Sequence, residues 1–170
     1  MSEILDIVNE HDEVIGQMDR EDPRKYDHIF RMVFVGFYTP DKQIILQRRS
    51  MMKKSSPGKI TTTVSGHVSS GQTYTEAAVR ETLEETGVTV RKDELVKIGI
   101  MLGGNAMRAV YAYPFAGTLD ELQIEEGEGA GFVAMPTDQL LRDRIARPSR
   151  YAPFITTDAG TALINYVEHV

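Results

Sequence analysis

Short apolar blocks separated by polar punctuation dominate the first two-thirds of the chain. "ILDIV" (4–8) and "VIGQM" (14–18) flank the polar turn "NEHDE", which predicts a hairpin, added like a flap ahead of the charged linker "DREDPRK". The run 29–38, "IFRMVFVGFY", is rich in β-branched and aromatic residues and predicts a strand, paired through "TPDK" with "QIILQ" (43–47). A basic loop, "RRSMMKKSSPGK", leads into the strand "ITTTV" (60–64), and a helix follows over 73–86. "ELVKIGIML" and "MRAVYAYPFAG" read as strands joined by Gly103, Gly104 and Asn105. "LQIEEGEGAG" reads as a loop before a short strand "FVAM" and helices near 137–146 and 157–169. Strands and helices mix without regular βαβ alternation, which points to the α+β class and a layered fold on a mixed sheet.

The helix over 73–86 is well bounded, because Thr73 and Glu76 have capping-box spacing and Gly87 stands where a left-handed residue ends a helix. At about 100° per residue, Val79, Thr82, Leu83 and Thr86 fall on one face and Arg80, Glu81, Glu84 and Glu85 on the other. Ala77 and Ala78 are expected to leave the charged side sterically open. Glu81 and Glu85 repel at i, i+4, while Arg80 and Glu84 attract. Either this is a solvated acidic face, or the carboxylates converge on a hard divalent cation such as Mg²⁺ or Mn²⁺.

With 170 residues, 41% of them apolar and 26% charged, one ordinary domain is expected over 1–170, with 1–27 as hairpin and linker. The net charge of −6, with both signs interspersed, disfavours a long nucleic acid or an anionic membrane surface as partner. No stretch approaches the roughly 20 apolar residues of a membrane span, and "MSEILDIVNEHDEV" lacks the pattern of a signal peptide, so a cytoplasmic location is expected. There is no cysteine, hence no disulfide, thiolate zinc site or cysteine nucleophile. The loop 48–59 is the most cationic stretch, which suits a small anionic ligand.

Residues 66–88, "GHVSSGQTYTEAAVRETLEETGV", resemble the Nudix box, G-x5-E-x7-R-E-U-x-E-E-x-G-U, where U is a bulky aliphatic residue. Gly66, Arg80, Glu81, Glu84, Glu85, Gly87 and Val88 match in register. Gln72 replaces the first glutamate of the box and Thr82 an aliphatic position. The resemblance implies an α/β/α sandwich around a central mixed sheet. Upstream, "RRSMMKKSSPGKITTTVSGH" and the N-terminal segment are similar to isopentenyl-diphosphate isomerases and the hydrolases most like them. Ser65 stands where the isomerase has its cysteine, "AVYAYPF" lacks its acidic pair, and only His67 and perhaps His28 match its histidines, so the hydrolase is the reading adopted.

By that resemblance, Glu81, Glu84 and Glu85, with a backbone carbonyl of Ser65 or Gly66, are expected to hold Mg²⁺ or Mn²⁺, and Arg80 to orient a glutamate. The implied reaction is hydrolysis of a small diphosphate, with Glu84 or a loop acid (Glu125, Glu126 or Glu128) as base; Glu126 is the loop acid chosen. Arg48, Arg49, Lys53, Lys54 and Lys59 are candidates for the diphosphate, Arg49 and Lys53 first, with His67 nearby. Arg31 is either a substrate contact or an exposed edge residue. A homodimer is expected from the family. A catalytically weak diphosphate-binding module, motivated by Gln72, is the alternative.

Overall fold

The computed structural model describes residues 2–124 and 126–170. Its spine is β3 (Ile29–Tyr38), spanning the predicted run. Along one edge β8 (Ala106–Pro114) pairs parallel with β3, from Phe30↔Ala106 to Tyr38↔Pro114. Along the other edge three strands take turns, all antiparallel. These are β1 (Ile4–Val8) at Ile29 and Phe30, β6 (Val64–His67) from Met32 to Val35, and β4 (Gln43–Arg49) at Phe37 and Tyr38. β2 (Val14–Asp19) pairs with β1, β5 (Ile60–Thr62) and β9 (Gly129–Pro136) with β4, and β7 (Val96–Gly103) with β8. One parallel pair among antiparallel ones makes the sheet mixed, as expected.

Period-two alternation along β3 sorts the core into two layers. Val33, Val35 and Phe37 face α1 (Tyr74–Thr86), meeting Ala77 and Ala78. Phe34, with Ile44, Leu46 and Val110, faces α2 (Thr137–Ala146), α3 (Pro153–Thr156) and α4 (Asp158–His169), meeting Leu140, Phe154, Leu163 and Ile164. Gly36 lets α4 sit close, since a Cβ there would lie 2.5 Å from Leu163 Cδ2. The result is the α/β/α sandwich. No helix among the described residues is long and apolar enough to cross a membrane.

Three sequence expectations change. "ITTTV" is two strands broken at Thr63, because β3 and β4 splay apart there. Thr63 Oγ1 donates to the Ile45 carbonyl (2.5 Å) and accepts from the Phe37 amide (2.8 Å), while Thr62 Oγ1 donates to the Val35 carbonyl (3.1 Å). Hydroxyls thus satisfy buried backbone groups that the fork leaves without strand partners. The strand predicted as "FVAM" is longer, since the ladder to β4 recruits the glycine-rich 129–131. The N-terminal hairpin, finally, is a member of the sheet rather than a flap. Asp12 accepts from Arg31 Nε (2.7 Å) and the Tyr74 hydroxyl (2.9 Å), and Asp6 accepts from Ser70 Oγ (2.6 Å). Arg31 is therefore not an exposed edge residue but a half-buried tether, stacked 5.5 Å from the Tyr74 ring centroid, between the hairpin and α1.

Candidate active site

The site is built where the end of β6 meets α1. The helix begins as its sequence dictates, with Glu76 N donating to Thr73 Oγ1 and Thr73 N to Glu76 Oε2, and ends at Gly87 with φ 71°. Its buried side differs from the expected one. Ala77, Ala78, Glu81, Thr82, Glu85 and Thr86 are buried, whereas Leu83 is 50% exposed. The alanines do not leave the acidic side open. They let the helix approach the sheet closely and carry Glu81 and Glu85 in with it, so the solvated-face reading fails for these two.

Gly66 completes the fit. A Cβ there would overlap the Glu81 carboxylate and lie 2.5 Å from its Cγ. Arg80 braces the cluster by donating from Nη2 to Glu81 Oε1 (2.9 Å) and the His67 carbonyl (3.0 Å), and from Nη1 to Glu84 Oε2 (2.9 Å). Glu84 is exposed beside it. Among the described residues Glu85 takes one hydrogen bond, from the Ser65 amide at 3.3 Å.

Electrostatics follow from this crowding. Burial, reinforced by the charges of Glu84 and Glu3 and opposed by Arg80, raises the Glu81 pKa to about 7. Burial and the Glu81 charge push Glu85 well above the carboxylate range, with Glu128 adding to the rise and the Ser65 amide and Lys53 opposing it. Two desolvated carboxylates share one guanidinium and one amide, a deficit of positive charge. Among the described residues no three His, Asp or Glu side chains are grouped so as to hold a metal ion by themselves. The donor set nevertheless fits Mg²⁺ or Mn²⁺, since such ions use one or two carboxylates and leave positions for water and phosphate oxygens. Gly66 lets the Glu81 carboxylate lie against the β6 backbone.

Of the basic candidates only Lys53 comes to this cluster, pairing with Glu128 at 2.5 Å. Arg49 turns back on its own loop, donating to the Ser55 carbonyl (3.0 Å), Lys54 is exposed and lies 3.6 Å from Glu21, Arg48 is exposed on β4, and Lys59 is half-buried. Among the loop acids Glu128 bears on Glu85, Glu126 is exposed, and Glu125 lies outside the described residues. His67 stacks on Phe30 at 5.3 Å. Burial first, then the charges of Arg20 and Lys25, hold its pKa down at about 4, so it is neutral at physiological pH. His28 is exposed.

Arg20 and Lys25 were missed because they lie some forty residues upstream of His67, and only the β1–β3 pairing brings them in. Arg20 pairs with Glu3 (2.6 Å), whose other oxygen accepts from Ser69 Oγ (2.7 Å). Lys25 is buried, its ammonium on the Arg20 carbonyl, with no carboxylate at ion-pairing distance among the described residues. Gln72 Oε1 accepts from the Ser69 amide (3.3 Å), closing the turn before α1.

The NUDIX domain family model matches residues 10–155, and the chain belongs to the Nudix family of hydrolases. An uncharacterised Nudix hydrolase of Streptomyces coelicolor is 36% identical over 135 residues, 77% of this chain and 74% of that protein. One of Clostridium acetobutylicum is 29% identical over 151 residues, 82% and 73%. A crystal structure of a Deinococcus radiodurans protein, 29% identical, superposes with a TM-score of 0.80 over 94% of this chain and 97% of that one.

Proposed function

We propose that this protein hydrolyses a phosphoanhydride bond in a nucleoside diphosphate derivative or another small diphosphate, with Mg²⁺ or Mn²⁺ as cofactor. The observation that carries the reading is the buried pair Glu81 and Glu85, short of positive charge, beside a cationic group formed by Arg20, Lys25 and Lys53. A metal–diphosphate is the complement of both.

In this reading Glu81, Glu84 and Glu85, with a carbonyl of Ser65 or Gly66, hold the cation. When bound, the cation draws charge from the diphosphate and lowers the pKa of water. Arg80 fixes the Glu81 and Glu84 carboxylates through charge-assisted hydrogen bonds. Lys53, Lys25 and Arg20 bind phosphate oxygens, and neutral His67 lines the site without adding charge. Water attacks phosphorus, the bridging P–O bond breaks, and the phosphorylated leaving group departs. The proton of the attacking water goes to Glu84, the exposed carboxylate of the cluster, with Glu128, rather than Glu126, as the loop acid nearest to it in role.

The test is a panel of nucleotides, nucleotide sugars, dinucleotides and prenyl diphosphates with Mg²⁺ or Mn²⁺, against a Glu85→Gln control. Metal-dependent release of phosphate or nucleotide that Glu85→Gln abolishes is expected, and release equal to that of the control sinks the reading. The binding-module alternative is disfavoured by Gln72 itself, which is occupied in the turn while Glu3 supplies a carboxylate charge to the Glu81 neighbourhood. Gln72→Glu is accordingly expected to change kcat only a few-fold.

A further inference from the structure

The loop between β4 and β5 carries two side chains that phosphate binding does not use. Of the eight methionines in the chain, Met1 lies outside the described residues, Met107 and Met135 are buried, and Met18, Met32 and Met101 are half-buried. Met51 and Met52 instead stand side by side at 76% and 83% exposure. In a chain without cysteine the thioethers are the soft, oxidisable groups, and exposure decides which of them a peroxide reaches. These two are the accessible pair.

The pair is not equivalent. At its base the loop is closed by the Arg49 amide on the Lys59 carbonyl (2.9 Å), and it is braced by Arg49 Nε on the Ser55 carbonyl (3.0 Å). Across it Met51 lays its sulfur on Gly58, where a Cβ would lie 2.6 Å from Sδ. A bare Cα at φ 69° is what admits the sulfur there. None of the apolar side chains from 50 to 59 is buried, so this contact is the loop's apolar clasp. Lys53 lies between the two arms, its amide on the Ser50 carbonyl (3.3 Å) and its ammonium on Glu128. Ser50 in turn donates its amide to the Glu128 carbonyl (3.0 Å). Opening the loop between 51 and 58 therefore moves the cation that the cluster depends on.

We infer that Met51 is a site of reversible oxidation by peroxide, and that its oxidation withdraws Lys53 from the active site. The thioether sulfur attacks one oxygen of hydrogen peroxide. An S–O bond forms, the O–O bond breaks, sulfur gives up two electrons, and the second oxygen leaves with both protons as water. The sulfoxide is polar and needs solvent, so it leaves the Gly58 Cα, and the clasp opens. A sulfoxide on Met52 stays in water and changes nothing. Affinity for a diphosphate falls under peroxide and returns when a thiol-dependent methionine sulfoxide reductase removes the oxygen. The part played by Lys53 in binding phosphate rests on the hydrolase reading above, whereas the opening of the clasp does not.

Two measurements without turnover test this, each before and after mild peroxide treatment checked by peptide mass spectrometry. One is tryptic cleavage after Lys53 and Lys54 in the protein alone; the other is the Kd of imidodiphosphate with Mg²⁺ by calorimetry. Oxidised wild type is expected to be cut about fivefold faster and to bind about fivefold more weakly, as loss of one small apolar contact implies. The reductase should reverse both changes. Met51→Leu, which keeps an apolar side chain and cannot form a sulfoxide, is expected to be indifferent to peroxide, while Met52→Leu responds as the wild type does. Protection by Met52→Leu, a response that persists in Met51→Leu, or no response in the wild type overturns the inference. Faster cleavage with an unchanged Kd overturns the link to Lys53. Failure of imidodiphosphate to bind the untreated protein would tell against the hydrolase reading, and cleavage would still decide the fate of the clasp.

Discussion

Gly66→Ala is the sharpest single perturbation of the site, because it adds one methyl and removes no functional group. Alanine in a strand is otherwise favoured over glycine by about 0.5–1 kcal/mol. Here the new Cβ would lie 2.5 Å from Glu81 Cγ, against about 3.5–4.0 Å for carbon atoms in ordinary contact. The Glu81 side chain must therefore retreat by about 1 Å or more, between Arg80 and the β6 backbone. Overpacking of this kind costs about 1–3 kcal/mol, and a 1 Å displacement of a group at the reacting centre costs about 100-fold in rate. Urea unfolding of wild type, Gly66→Ala, Glu81→Ala and the double variant separates the causes. In the Glu81→Ala background the obstacle is gone, so Gly66→Ala turns neutral or mildly stabilising, and the coupling between the sites comes to about 2 kcal/mol. Strictly additive effects, or a Gly66→Ala protein with wild-type kcat, would refute the claim that this glycine exists to admit the carboxylate.

Two further expectations concern charge and the hairpin. Since burial raises Glu81 from 4.5 to about 7, the folded state binds the extra proton between those values and stability falls as pH rises through them. The loss is about 3 kcal/mol from Glu81 alone, and it is complete above about pH 7. Urea midpoints at pH 5 and pH 8 should show this fall, and millimolar Mg²⁺ should shrink it, whereas a rise with pH or indifference to Mg²⁺ would contradict the burial argument. Asp12→Ala leaves Arg31 and Tyr74 without their shared acceptor and puts alanine at φ 63°, so a loss of about 2–4 kcal/mol is expected by chemical denaturation; a loss below about 0.5 kcal/mol would mean the tether is idle.

The parts of the molecule that were legible are those whose cause is local. Thr73, Glu76 and Gly87 act within one helix, and β3 is apolar or aromatic at every position but Arg31 and Gly36, so their boundaries could be read directly. What depended on distant partners could not. Thr63 looks like any strand threonine until β3 and β4 fork around it. Arg20 and Lys25 sit in a polar segment that reads as linker. The face of α1 was misassigned for a different reason: Leu83 was weighted as apolar and the alanines as neutral. In fact Ala77 and Ala78, followed at i+4 by Glu81 and Thr82 and at i+8 by Glu85 and Thr86, mark the side that packs. Small residues determine how near a helix can lie, and that proximity puts two carboxylates where water cannot shield them.

The same reasoning bears on Gln72. Read along the sequence, it is a missing acid beside a metal cluster. In the fold, its amide oxygen serves the Ser69 amide, while Ser69 Oγ donates to Glu3, whose charge bears on Glu81. A carboxylate charge thus reaches the site from Glu3, just ahead of β1, beside a hairpin tied down by Asp6, Asp12 and Arg31. Counting box residues undercounts the anions at the site, because the anion that matters is defined by its distance from Glu81 and not by its place in the motif. Glu3→Gln therefore ought to reduce metal-dependent activity more than Gln72→Ala does, and metal-titrated initial rates for the two variants would decide between the motif and the geometry.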